Sequence, residues 1–309
     1  MVLADLKDLT ITTASANANI TLPNIDGTSG DGNDGTDLTI LAGTGNVSVK
    51  SIDTDINDLR IDGTTITLTG DITTAAHNPG SGADAASIDI NGAAVIGAGI
   101  TLTSGNGTVD FSGTVDSDNG ENRALTIVSG SGATAINGAV GTTDALGNLT
   151  INAAGTGAIT LSTVGADAAA GAAVLAIGNA DTSSLTLSGV DYHSAANAQT
   201  YTADAFLITG TDPTFTTANA AIKFVDGASS DIVLSDAADL TIRTSNGLID
   251  IEPEIIGTAD GANTSVTLNA GSGNIVLDNT GTGVIHTDIG AVSLTSTGTI
   301  TISDGITTD

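Results

Sequence analysis

The sequence has no cysteine and no tryptophan, and only 2% of its residues are aromatic. Without cysteine there is no disulfide framework to support a fold with a small core. Without large side chains there is little to fill a globular core, and 40 glycines in 309 residues contribute no side chains to one. Cations are equally scarce. Six Lys plus Arg stand against 35 Asp plus Glu, a net charge of −29. No basic patch is available to neutralise phosphates, which excludes nucleic acid as a partner and disfavours anionic membrane surfaces. No run of 18 apolar residues occurs, so membrane insertion through a helix is not expected. The opening MVLADLKDLT has neither the charged nor the apolar segment of a secretory signal.

What is present is a large share of small and β-branched apolar residues. The chain is 40% hydrophobic with a mean hydropathy of +0.25, too apolar for a disordered polymer. All but three of the acids are Asp, a turn former and oxygen ligand, rather than the helix-forming Glu. Such a composition suits a narrow core shared along many short strands.

A twelve-residue pattern shows how. LTILAGTGNVSV (Leu38 to Val49) returns as VTLNAGSGNIVL (Val266 to Leu277), and variants begin at Ile100, Leu125 and Leu240. Each half alternates apolar and polar residues, the period of a strand with one buried face. The Gly-x-Gly between the halves permits positive φ and a sharp corner. A third apolar step often follows, at Ile52, Val115, Val140, Val164 and Ile255. The cycle restarts from Leu38 at Leu59, from Ile100 at Leu125, from Leu125 at Leu149, from Leu240 at Val266 and from Val266 at Leu294. Two or three short strands per cycle of that length predict an all-β chain, a parallel β-helix (β-solenoid) of about a dozen turns. Residues 1–309 read as one continuous solenoid, interrupted by loops near 27–36, 75–87, 166–184 and 257–264. A β-sandwich would instead show irregular spacing and aromatic anchors.

Three segments carry a resemblance. LTINAAGTGAITLSTVG (Leu149 to Gly165), FSGTVDS (Phe111 to Ser117) and AQTYTADAFLITGTDPTFT (Ala198 to Thr216) resemble the repeats of filamentous haemagglutinin-like giant surface proteins of bacteria. The resemblance implies a right-handed β-helix, an extracellular place on the bacterial cell surface, and a role in adhesion or in a biofilm matrix. Cell-surface or matrix polysaccharide is then an expected partner.

Calcium is the strongest candidate cofactor. Gly30-Asp31-Gly32-Asn33-Asp34 matches part of the Gly-Asp repeats that bind Ca²⁺ between β-turns, as a single copy. Asp116-Ser117-Asp118-Asn119-Gly120 begins like a calcium loop but lacks the distal bidentate Glu. Asp31, Asp34, Asp116 and Asp118 are therefore either ligands or Asx-turn formers. A further set of acids precedes first strands, at Asp8, Asp37, Asp58 and Asp239. Stacked in register, their charges would repel by about 1 kcal/mol even in water, so local N–H bonds or a cation must offset this.

No catalytic residue is assigned. His77, His193 and His286 are far apart and lack metal-ligand spacing. Asp191-Tyr192-His193-Ser194 holds triad letters, but neighbours on a strand point to opposite faces. The stretch 189–224 contains both tyrosines and three of the four Phe, either a wider core or a groove. Thr recurs at the middle of first strands, at Thr10, Thr39, Thr101, Thr126, Thr150, Thr186, Thr241 and Thr267. A second regular column two positions on is missing, which disfavours ice binding. The expected function is a non-enzymatic structural or adhesive rod, with a carbohydrate-active β-helix enzyme and an ice- or surface-binding protein as alternatives. Apolar alternation runs from Val2-Leu3 to Ile306 with no legible capping helix, so head-to-tail self-assembly is expected.

Overall fold

The computed structural model describes residues 1–3, 8–27, 36–53, 55–75, 86–152, 154–166, 169, 171–195, 197–227, 231–258, 264–278, 285 and 288–308. Among them are 29 strands and no helix. Parallel sheets are stacked as a β-solenoid of about 10 turns. The chain divides into two compact units, Met1–Gly157 and Ala158–Asp309.

In the first unit each turn contributes strands to three columns. The first column stacks Leu9–Thr12, Thr36–Leu41, the start of Ile56–Leu68, the start of Ala86–Ile96, Asn106–Phe111 and Thr134–Ile136. The second stacks Ile20–Leu22, Val47–Val49, the ends of the same two long strands and Val115–Ser117. The third stacks Ile72–Thr73, Ile100–Thr103, Leu125–Val128 and Leu146–Ile151. Isolated bridges join Ile25 and Ile52 to it through Ile72. Alternation decides what is buried. Leu38, Ile40, Leu125, Ile127, Leu149 and Ile151 are all inaccessible to solvent, while the residues between them face out. Apolar side chains of consecutive turns thus sit one above another, and each turn supplies the cover its neighbour needs.

The second unit repeats the scheme. One column stacks Asp191–His193, Thr214–Thr217, Leu240–Thr244, Ser265–Gly271 and Ala291–Ser296. Another stacks Ala172–Gly178, Gln199–Ala203, Ile222–Asp226, Ile249–Ile251, Ile275–Leu277 and Ile300–Ile302. The third stacks Ile159–Leu161, Leu185–Leu187, Phe206–Ile208, Asp231–Leu234 and Glu254–Gly257, followed by bridges through Ile285 to Ile306.

Three expectations need correction. First, the sequence motif is not tied to one position in the turn. Leu38-Thr39-Ile40 and Val47-Ser48-Val49 occupy the first and second columns, whereas Ile100-Thr101-Leu102 and Val109-Asp110-Phe111 occupy the third and first. The shift happens across the two long strands, which run without interruption through a corner that Gly-x-Gly forms elsewhere. Second, the last restart is at Val292, not Leu294, because Val266 pairs with Val292 and Leu268 with Leu294. A two-residue error preserves the inward face, so the apolar pattern alone does not detect it. Third, residues 166–184 contain a strand, Ala172–Gly178, where a loop was expected. Its alanines hide the alternation that Leu175 and Ile177 complete.

The two glycines of the corner do different work. Gly43, Gly130 and Gly271 take φ near +60°, as the sharp turn requires. The second glycine is a matter of close approach. A Cβ on Gly132 would lie 2.0 Å from the carbonyl oxygen of Gly107, and one on Gly157 would lie 1.8 Å from that of Gly132. The turns stack backbone on backbone at this corner.

The aromatic stretch is core. Tyr192, Tyr201, Phe206, Phe215 and Phe224 are buried. Tyr192 stacks on Phe215 at 4.6 Å between ring centroids, and Tyr201 on Phe224 at 5.0 Å. Their polar ends are satisfied internally. The Tyr192 hydroxyl donates to the Leu161 carbonyl at 3.1 Å and accepts the Gly189 N–H. Tyr201 donates to Gln199 Oε1 at 3.0 Å, and Gln199 Nε2 donates to the carbonyls of Tyr192 and Thr216. Burial pushes both phenols above their ordinary pKa.

Candidate functional surfaces

The solenoid turns its polar side chains outward in rows that cross successive turns, so function is sought along these rows. The acids before first strands form one of them. The Asp37 N–H donates to Asp8 Oδ1 at 3.3 Å, the Asp58 N–H to Asp37 Oδ1 at 3.2 Å, and the Ser87 N–H to Asp58 Oδ1 at 2.8 Å. In the second unit the Ser265 N–H donates to Asp239 Oδ1 at 2.8 Å. Each carboxylate therefore accepts a backbone donor from the next turn, which is the offset the stacked charges require. Asp37 is still held above the usual carboxylate pKa. Desolvation by burial is the main cause, opposed by the Asp58 N–H and Asn57, and aided by the charges of Asp58 and Asp8.

A second row lies on the same column. Thr10, Thr39, Arg60, Asp89 and Asp110 are register partners in turn. The threonines predicted as one long column are thus split among several. Thr101, Thr126 and Thr150 form a different row, and Thr241 and Thr267 a third, in the second unit. Two positions on, Arg60 pairs with Asp62 at 2.9 Å, and Asn91 Nδ2 donates to both Asp62 and Asp89 at 2.9 Å. Asn137 Nδ2 donates to Asp110 at 2.7 Å. Burial raises the Asp110 pKa, Asp89 adds to this, and Asn137 opposes it.

Of the four candidate calcium ligands, two fall among the described residues. Asp31 and Asp34 lie outside the described residues. Asp116 Oδ1 accepts the N–H of Thr143 at 2.9 Å, and Asp118 pairs with Arg123 at 3.3 Å. Among the described residues no group of three or more His, Asp or Glu is placed to hold a metal ion. In Asp191-Tyr192-His193-Ser194, Tyr192 and Ser194 point inward while Asp191 and His193 face out, as alternation demands. His77 and His286 lie outside the described residues.

One outward region was not anticipated. An open groove of about 440 Å³ in the second unit is lined by Thr216, Arg243, Thr244, Ser245, Asn269 and Gly271, among others. Thr216, Arg243 and Asn269 are register partners from three successive turns. In the sequence Arg243 is one of only six cations. Its neighbours come from 27 residues before and 26 after, visible once the pairing register is known.

No known protein family, curated protein or solved structure matches the chain. The fold nevertheless defines its class, a β-helix repeat protein whose turns stack in parallel.

Proposed function

We propose that the chain is a non-enzymatic structural or adhesive solenoid that assembles head to tail. The observation that carries this reading is the register. Within each unit, core residue pairs with core residue on successive turns, as in Ile222, Ile249 and Ile275, so each turn is a template for the next. A surface that accepts another turn of its own kind also accepts one from a second copy. Ile300 and Ile302 are 38% and 41% exposed, while their partners Ile275 and Leu277 are buried. An extracellular place and adhesion to cell-surface or matrix polysaccharide belong to the same reading, supported by the resemblance of the three repeat segments to filamentous haemagglutinin-like proteins. Calcium, if used, would act through Asp31, Asp34, Asp116 or Asp118 to stiffen a turn.

Sedimentation velocity over a wide concentration range tests the assembly. Species growing with concentration, and reduced by Ile300→Asp, are expected. A chain that stays monomeric at all concentrations overturns head-to-tail assembly.

A further inference from the structure

We propose that the groove over Arg243 binds a carboxylate carried on a sugar, that is, a sugar acid. The inference deepens the adhesive part of the reading above and does not depend on self-association.

The groove holds a cation without a carboxylate partner among the described residues. Arg60, Arg123 and Lys223 all have carboxylate partners, Lys223 through Asp250 at 2.8 Å. Arg243 has none among the described residues, although the chain carries 35 acids. Its register neighbours continue the theme. The Thr216 hydroxyl makes no hydrogen bond among the described residues. Asn269 Oδ1 accepts the Gly271 N–H at 3.1 Å, and its Nδ2 makes no hydrogen bond among the described residues. The buried Thr244 beneath is committed to the Gly247 carbonyl at 2.6 Å and does not compete. A hydroxyl, a guanidinium and an amide thus stand in a row across three turns, with strands about 4.8 Å apart.

That row selects a chemistry. A guanidinium is matched by a planar oxyanion that accepts two parallel N–H bonds, and a carboxylate provides it. Flanking donors one strand spacing away reach beyond a bare carboxylate, to oxygens on the molecule that bears it. The lining mixes hydroxyl, amide and guanidinium groups with apolar surface, which suits the hydroxyls and the C–H face of a sugar ring. The volume lies within the roughly 300–1,000 Å³ of small-molecule sites. The background charge of −29 repels polyanions and multiply charged phosphates, so a ligand with one charge on a hydroxylated frame is favoured.

Calorimetric or NMR titration of the full chain with glucuronate at low ionic strength tests the proposal, with glucose and acetate titrated in parallel. Saturable glucuronate binding is expected, with a Kd of about 1 mM, and binding about tenfold weaker for each of the other two. Arg243→Gln should abolish it, Arg243→Lys should weaken it about tenfold by losing the fork, and Arg60→Gln should leave it unchanged. Circular dichroism establishes that each variant is folded, and the lysine variant carries the test if the glutamine variant is not. The proposal is overturned by any one of three results: no saturation, undiminished binding to the folded Arg243 variants, or acetate binding as tightly as glucuronate. If Arg243→Gln alters self-association and not glucuronate binding, the groove is a contact for a second copy and the sugar-acid reading fails, while the stacking proposal stands.

Discussion

Gly132→Ala tests the backbone stacking at the corner. The added Cβ would lie 2.0 Å from the Gly107 carbonyl oxygen and 2.7 Å from that of Asn106. Ordinary contact begins near 3.4 Å, so the two turns must separate locally by about 1.4 Å. The Val109 N–H bond to the Ala133 carbonyl, 2.9 Å long and one residue away, cannot stretch that far and survive. A buried backbone bond left unmade costs about 1–3 kcal/mol, and overpacking adds about 1–3 kcal/mol. A destabilisation of about 2–6 kcal/mol is expected. Gly99→Ala is the control, since nothing lies within 4 Å of its Cβ position. That change should be neutral or stabilising by up to about 1 kcal/mol, through the unfolded state. Urea unfolding of both variants, with hydrogen exchange at Val109, reads the difference. Equal midpoints, or unchanged Val109 protection in Gly132→Ala, would refute the stacking account.

Other outcomes follow from the same contacts. Gln199→Ala should cost about 2–4 kcal/mol, because Tyr201 and two buried carbonyls lose their partner at once; thermal unfolding checks this, and a loss below about 1 kcal/mol would show that water replaces the amide. Asp37 has a native pKa above its unfolded one, so the native state holds that proton more tightly and stability falls as pH rises through the carboxylate range. Asp37→Asn should therefore stabilise the chain at pH 7 and not in acid, where both forms are neutral; equal effects at both pH values would contradict the assignment. A calcium chelator at low salt should leave the thermal midpoint unchanged if Asp116 and Asp118 are held by the N–H groups of Thr143 and Asp144 and by Arg123 alone. A lowered midpoint would place calcium at one of the two Asp-rich loops.

The fold was legible because burial acts residue by residue. Leu-Thr-Ile at 125–127 announces which side chains go inward without reference to any partner. The pairing register was less legible, since it depends on how many residues each corner consumes. The long strands Ile56–Leu68 and Ala86–Ile96 lack a Gly-x-Gly corner, and across them the motif moves to a different column. The groove over Arg243 depends wholly on that register, as its donors come from three turns. The role of the second corner glycine was equally hidden, since close approach is a property of two turns and not of one. The buried aromatic cluster was visible as a concentration of large residues, and pairing assigned it to the core.

The most direct test of the three-column arrangement uses the absence of native cysteine to place spin labels in pairs. Thr101→Cys with Thr126→Cys puts two labels on register partners of adjacent turns, while Thr39→Cys with Thr101→Cys places them on different columns. Strong dipolar broadening is predicted for the first pair and none for the second. Broadening for Thr39 with Thr101, and its absence for Thr101 with Thr126, would contradict the account.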